Sequence, residues 1–131
     1  MRKAIPPALR KLVAERAEFK CEYCLMTEED SLFSFQLDHI ISLKHNGNTD
    51  ENNLAYSCIT CNARKGSNIS TILLPELNLI PLFNPRIDNW AEHFEISNGL
   101  IEGKTKIGYA TIQVLDLNAK ERIVERISLG L

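Results

Sequence analysis

The stretch "CITCNARKG", residues 58–66, decides how this chain is read. It opens on Cys58-Ile59-Thr60-Cys61, half of a metal-binding pattern, and continues directly into Asn62, Arg64, Lys65 and Gly66. The matching half is "CEYC", Cys21 to Cys24. A C-x-x-C turn puts two sulfurs on one side of an ion, and zinc favours four thiolates in a closed tetrahedron. Cys21, Cys24, Cys58 and Cys61 are all the cysteines of the chain, so the spacing predicts a structural Zn²⁺ site with no open position. A redox reading needs only one such pair. If residues 58–65 are helical, at about 100° per residue Asn62 lies about 40° from Cys58. An ion on the cysteines then fixes where Asn62 points.

The two pairs are separated by residues 25–57, longer than a simple zinc ribbon allows, so something folds in between. "QLDHIIS" (36–42) is short, apolar and β-branched and reads as a strand. "LKHNGNTDENN" (43–53) is dense in Asn, Gly, Asp and Thr and reads as a loop, and "NLAYS" (53–57) as a second strand. The helix from 58 has Ser57 as its expected N-cap and Gly66 as its stop. The first strand carries Asp38-His39, a carboxylate beside an imidazole. Strand alternation sends neighbours to opposite faces, so the backbone must bend for both to serve one site. Asp38, His39, Asn53 and Asn62 are thus gathered on one small scaffold. Arg64 and Lys65 read equally well as phosphate contacts or as a solvated helix end where cations are favoured.

"LDHIISLKHNGNTDENNLAYSCITCNARKG" (37–66), with "CEYC" upstream, resembles the HNH endonuclease family. The resemblance implies an α+β fold with a ββα-metal core stapled by the four-cysteine zinc site. It implies His39 as general base, Asp38 as a ligand of a catalytic divalent metal, and Asn53 as a bridge from the long loop to the strand. Asn62 stands where many members have a second His, and it too would ligate the metal. A carboxylate with an amide oxygen favours Mg²⁺ or Mn²⁺. The implied activity is hydrolysis of DNA phosphodiesters, giving 5′-phosphate and 3′-hydroxyl ends. The alternatives are a non-catalytic zinc module that binds nucleic acid and an HNH nuclease acting on RNA. "IPPALRKLVAERAEFKCEYC" (5–24), and more loosely "LFNPRIDNWAEHFE" (82–95) and "IEGKTKIGYATI" (101–112), are also similar to bacterial members.

The remainder of the chain is organised around this core. A length of 131 residues bounds it to a core at 1–70 with an extension at 71–131. Residues 5–19 read as a helix opened by Pro6 and Pro7, with Leu9, Leu12 and Val13 along an apolar stripe. "ILLPELNLIPLFNPR" (72–86) reads as an irregular segment packed on the core, and residues 87–108 as strands around the turn "SNG". Ala110, Val114 and Leu117 predict a helix, and Ile123, Val124 and Ile127 one face of a terminal one. Together these make the α/β extension. Trp90 and Phe94 are expected in the core, with His93 structural.

The formal net charge of −2 argues against binding nucleic acid by bulk charge. Residues 1–20 nevertheless concentrate Arg2, Lys3, Arg10, Lys11, Arg16 and Lys20 against Glu15 and Glu18. The partner implied is nucleic acid, foremost double-stranded DNA; a homodimer is neither excluded nor indicated. "MRKAIPPALRKLV" lacks the apolar core of a signal peptide and no stretch is long enough to cross a bilayer, so a cytoplasmic location is expected.

Overall fold

The computed structural model describes residues 4–131. Arg2 and Lys3 of the basic N-terminal run lie outside the described residues. The fold is α+β, with helices set around three two-stranded antiparallel sheets. Among the described residues, no helix is long and apolar enough to cross a membrane.

The central unit is short. Strand β1 (Gln36–His39) pairs antiparallel with β2 (Leu54–Ser57), with Leu37 opposite Tyr56 and Asp38 opposite Ala55. Helix α2 (Ile59–Lys65) follows β2 after a single residue. Every residue of β2 is buried. An isolated two-stranded hairpin is marginal in water, so such a pair must be covered on its faces. One cover is α1 (Pro7–Arg16), whose buried residues are Val13 and Ala14. Leu12, expected on the same stripe, is 39% exposed. Instead the helix is fastened by Arg16, whose guanidinium donates to Glu51 O and Leu54 O, both at 2.8 Å. The helix stops at Arg16, short of the expected residue 19, because Glu18 and Phe19 take positive φ in the turn that leads to the first cysteine pair.

The loop between the strands closes on itself. Asn53 accepts from Ile41 N at 2.9 Å through Oδ1 and donates through Nδ2 to Ile41 O at 2.9 Å and Asn48 O at 2.8 Å. Gly47 lies where this loop crosses Ile41: a Cβ at residue 47 would stand 1.7 Å from the Ile41 carbonyl oxygen. The loop therefore turns at glycine and is tied by asparagine.

Beyond α2, β3 (Ser70–Thr71) pairs with β4 (Ile80–Pro81). The segment 72–86 packs on the core through Leu73, Ile80, Leu82 and Phe83, as expected, while Leu74, Leu77 and Leu79 are mostly exposed. A one-turn helix, α3 (Trp90–His93), occupies a segment read as strand, with Asn89 Oδ1 capping it through Ala91 N. Phe94 is buried at the start of β5 (Phe94–Ser97), which turns at Asn98-Gly99 into β6 (Leu100–Gly103) as expected. The indole N–H of Trp90 donates to Tyr23 O at 2.9 Å, and His93 Nδ1 shares a hydrogen bond of 2.6 Å with Thr105 Oγ1. Helix α4 (Lys106–Leu115) is capped by Thr105 and buries Gly108, Ala110, Thr111 and Leu115.

The last helix, α5 (Lys120–Ser128), differs most from expectation. Its buried residues are Arg122 and Arg126, while Val124 and Ile127 are more than half exposed. Arg126 is 1% exposed and donates to Gly99 O at 2.7 Å and Leu117 O at 2.6 Å. The apolar triplet was a misleading guide because the neighbouring surface offers bare carbonyls, which arginine satisfies and isoleucine does not.

Asn53→Ala removes three hydrogen bonds at about 1 kcal/mol each, so urea unfolding should show a loss of about 2–4 kcal/mol. Asn53→Asp, which keeps the acceptor and loses both donors, should fall between it and the natural chain.

Candidate metal centre and catalytic cleft

The first cysteine pair lies in a tight hairpin closed by a bridge between Lys20 and Thr27. Cys21 N donates to Met26 O at 2.8 Å, and Leu25 takes the positive φ that such a turn requires. The second pair starts α2. Here the expected N-cap, Ser57, is displaced by Cys58, whose sulfur accepts from Cys61 N at 3.3 Å. Ser57 is the last residue of β2, and the sulfur, one position on, takes over its capping role. Cys24 N likewise points to Cys21 Sγ at 3.5 Å. Gly66 ends the helix as expected, at φ 53°.

All four sulfurs are buried and lie within 4.8 Å of one another. Cys24 Sγ and Cys58 Sγ are 3.7 Å apart. That excludes a disulfide, which needs about 2.05 Å. It matches the edge of a tetrahedron with metal–sulfur bonds of about 2.3 Å, which is about 3.8 Å. Hydrogen bonding from Cys21 draws the Cys58 thiol down, whereas hydrogen bonding to Cys21, Cys24 and Cys58 pushes Cys61 well up. Four sulfurs packed this closely cannot all ionise unless a cation sits among them. The donor set fits a structural zinc ion, and no position is left open for substrate.

A separate cleft of about 630 Å³ is lined by Asp38, His39, Ser42, Leu43, Lys44, Asn62, Gly66 and Ser67. Three of the four residues singled out for chemistry therefore meet at one surface. His39 is 6% exposed, and its Nε2 shares a 2.9 Å hydrogen bond with Thr49 Oγ1, which sets the ring's orientation. Asn62 donates through Nδ2 to Gln36 Oε1, which fixes its amide with Oδ1 as the atom suited to a cation. Asn53 does not line the cleft. It sits in the loop network described above.

Asp38 is the most heavily engaged of the group. Its Oδ2 accepts from the Tyr23 hydroxyl at 2.6 Å, and Lys65 Nζ lies 3.2 Å from the same oxygen. Burial pushes its carboxyl above the usual range, and Lys65 and Tyr23 pull it part of the way back. Burial, followed by the charge of Asp38, holds the Tyr23 phenol well above its ordinary value, so it remains a donor.

Lys65 does not stand where a phosphate contact would be. It is 2% exposed, and its ammonium also donates to Ile40 O at 2.9 Å and His39 O at 3.3 Å. The helix turns this side chain inward, and a buried ammonium needs a counter-charge, which Asp38 supplies. Arg64 is exposed and lies 3.9 Å from Asp116.

Sequence reasoning missed Tyr23, Ser42, Lys44 and Thr49. Tyr23 is the one with a local signal, as a polar aromatic inside the C-x-x-C turn. Ser42 Oγ is a buried side-chain oxygen for which the described residues provide no hydrogen-bond partner.

With this geometry in place, the likeness to known proteins is informative. The model of the HNH endonuclease family matches residues 21–68, which take in both cysteine pairs, β1, β2 and α2. Over residues 21–68 the chain is similar to an HNH endonuclease domain. The chain is also 28% identical over 120 residues to the Septu protein PtuB of Bacillus thuringiensis. That alignment covers 90% of this chain and 44% of PtuB, so the chain spans less than half the length of this relative. It therefore takes in much of the sequence beyond the HNH domain. No solved structure matches significantly.

Two outcomes check the site. Elemental analysis should find one zinc per chain, and Cys58→Ser should lose both the ion and the cooperative unfolding transition, since structural zinc supplies folding energy. Lys65→Met should cost about 3–5 kcal/mol, because Asp38 is left buried without its cation. Adding Asp38→Asn should recover part of that loss in the same denaturation experiment.

Proposed function

We propose that this protein is a metal-dependent endonuclease that hydrolyses DNA phosphodiesters in the cleft of its HNH domain. The observation that carries this reading is the meeting of His39, Asp38 and Asn62 at one open surface, held there by a four-sulfur centre that takes no part in the reaction. A non-catalytic zinc module needs the cysteines but has no use for that trio.

In this reading His39 acts as general base. The Thr49 contact holds the imidazole, which takes a proton from the attacking water. Attack is in line with the departing 3′ oxygen. Asp38 and Asn62 Oδ1 would hold a Mg²⁺ or Mn²⁺ ion, whose chemistry when bound is to neutralise charge on the phosphoryl oxygens and the leaving oxygen. Asp38 suits this because Tyr23 and Lys65 fix its carboxylate from behind. Lys44, exposed at the lip of the cleft, supplies a point charge to a neighbouring phosphate. Arg64 would reach a flanking phosphate by releasing its weak surface pairing with Asp116. The core at 1–70 carries the chemistry, and residues 71–131 brace it. Double-stranded DNA is proposed as the partner from the family resemblance.

The test is incubation of the purified chain with plasmid DNA and with structured RNA, in Mg²⁺, Mn²⁺ or EDTA. DNA should be cut in either metal and remain intact in EDTA. General-base catalysis is typically worth about 10²- to 10⁴-fold, so His39→Ala should slow cleavage by at least about 10²-fold with zinc content and unfolding midpoint unchanged. Cleavage at the natural rate by His39→Ala would overturn the assignment. Preferential cutting of RNA would keep the mechanism and replace the substrate.

A further inference from the structure

Arg122, on α5, does not line the cleft of Asp38, His39 and Asn62, and it belongs to none of the motifs of residues 21–68. It is 8% exposed. Its Nη1 donates to Leu115 O at 2.8 Å and Asp116 O at 3.2 Å, the carbonyls that end α4. Those two bonds hold one side of the guanidinium fork. The other side, Nη2, donates to Cys61 Sγ at 2.9 Å and lies 4.0 Å from Cys58 Sγ. A guanidinium donating to a sulfur is a charge-assisted hydrogen bond when that sulfur is a metal-bound thiolate.

The charge arithmetic gives this contact its meaning. Four thiolates around one divalent ion leave two excess negative charges, and these are buried. Buried charge is tolerated only when it is compensated. The acidic side chains Glu121 and Glu125, which line a surface cleft together with Cys58 and Arg122, add to the negative side. Arg126 is the second buried arginine of α5, but it is committed to the carbonyls of Gly99 and Leu117 and to Asn118 Oδ1. Among the described residues, Arg122 is the cation that hydrogen-bonds a cysteine sulfur.

We propose that Arg122 is a positioning residue of the metal centre: its guanidinium offsets one of the two excess charges of the zinc–thiolate cluster, and the loaded cluster in turn holds α5 against the HNH domain. The proposal rests on the structural-zinc reading. The two halves of the statement are one coupling, since whatever factor Arg122 adds to metal affinity the metal adds to the docking of α5. The extension is then part of the metal site, although every ligand atom comes from residues 21–61.

The experiment uses the full chain loaded with Co²⁺, whose thiolate charge-transfer absorption reports the ligand shell, and competition with a chelator to measure affinity. Partners one step outside a metal shell are typically worth about 10- to 100-fold in affinity. Arg122→Met should weaken binding by about that factor and shift the absorption, and Arg122→Lys, which restores the charge without the fork, should recover part of both. Arg126→Met is the control: it loses carbonyl bonds of the same kind and should lower stability while leaving the absorption in place. Equal affinity and an unchanged spectrum in folded Arg122→Met would overturn the proposal, as would an equal spectral shift in Arg126→Met. A second measurement stands if Arg122→Met does not fold. In the natural chain, chelation should accelerate hydrogen exchange of residues 120–128, and persistent protection of α5 in the metal-free chain would also overturn it. Failure of the natural chain to bind Co²⁺ through thiolates would instead remove the zinc reading itself.

Discussion

Four sulfur atoms confined to one buried point constrain everything else in this molecule. Cys21 and Cys24 come from a hairpin, Cys58 and Cys61 from the start of a helix, and their convergence closes a loop of more than thirty residues. Closing such a loop costs conformational entropy that the small β1–β2 pair has little buried surface to offset. A structural zinc ion supplies about 10–16 kcal/mol in comparable small domains, enough to decide the balance. Once the sulfurs are fixed, the rotation of α2 is fixed. Asn62 then faces the cleft and Lys65 faces the interior.

Around that point the fold is fastened by long cationic side chains. Arg16, Lys65, Arg86, Arg122 and Arg126 each donate to main-chain carbonyls belonging to other segments. Arg16 and Arg86 reach the same oxygen, that of Leu54. A chain with short strands and exposed leucines leaves many carbonyls without ladder partners, and a guanidinium with five donors can serve several at once. Lys65, Arg122 and Arg126 are buried, which is costly, and what offsets the cost is the number of bonds each one makes. Lys65 adds a role in the cleft, because the same ammonium that satisfies two carbonyls also holds the carboxylate of Asp38.

The parts legible in the sequence were those in which a local pattern and its physical cause coincide. The two C-x-x-C turns, the strands at 36–39 and 54–57, the glycine stop at 66 and the turn at Asn98-Gly99 all follow from spacing or backbone preference within a few residues. The gathering of Asp38, His39 and Asn62 was legible for a similar reason, since the cysteines dictate it. What could not be read were contacts across the fold. Lys65 looks like any lysine at a helix end until β1 is seen beneath it. Ile123, Val124 and Ile127 look like a core stripe until α5 is found docked through Arg122 and Arg126. Periodicity marks which face is apolar, whereas burial depends on what the opposing surface needs.

The position of Arg122 in the chain also orders events in time. All four sulfurs have been made by residue 61, and the guanidinium that touches one of them comes 61 residues later. On a ribosome the ligands can capture their ion while α5 is still unsynthesised. The newborn centre then passes through an interval in which it is complete in ligands and short of one counter-charge. The arrival of α5 closes that interval, so a helix made later works as a latch on a site assembled before it existed.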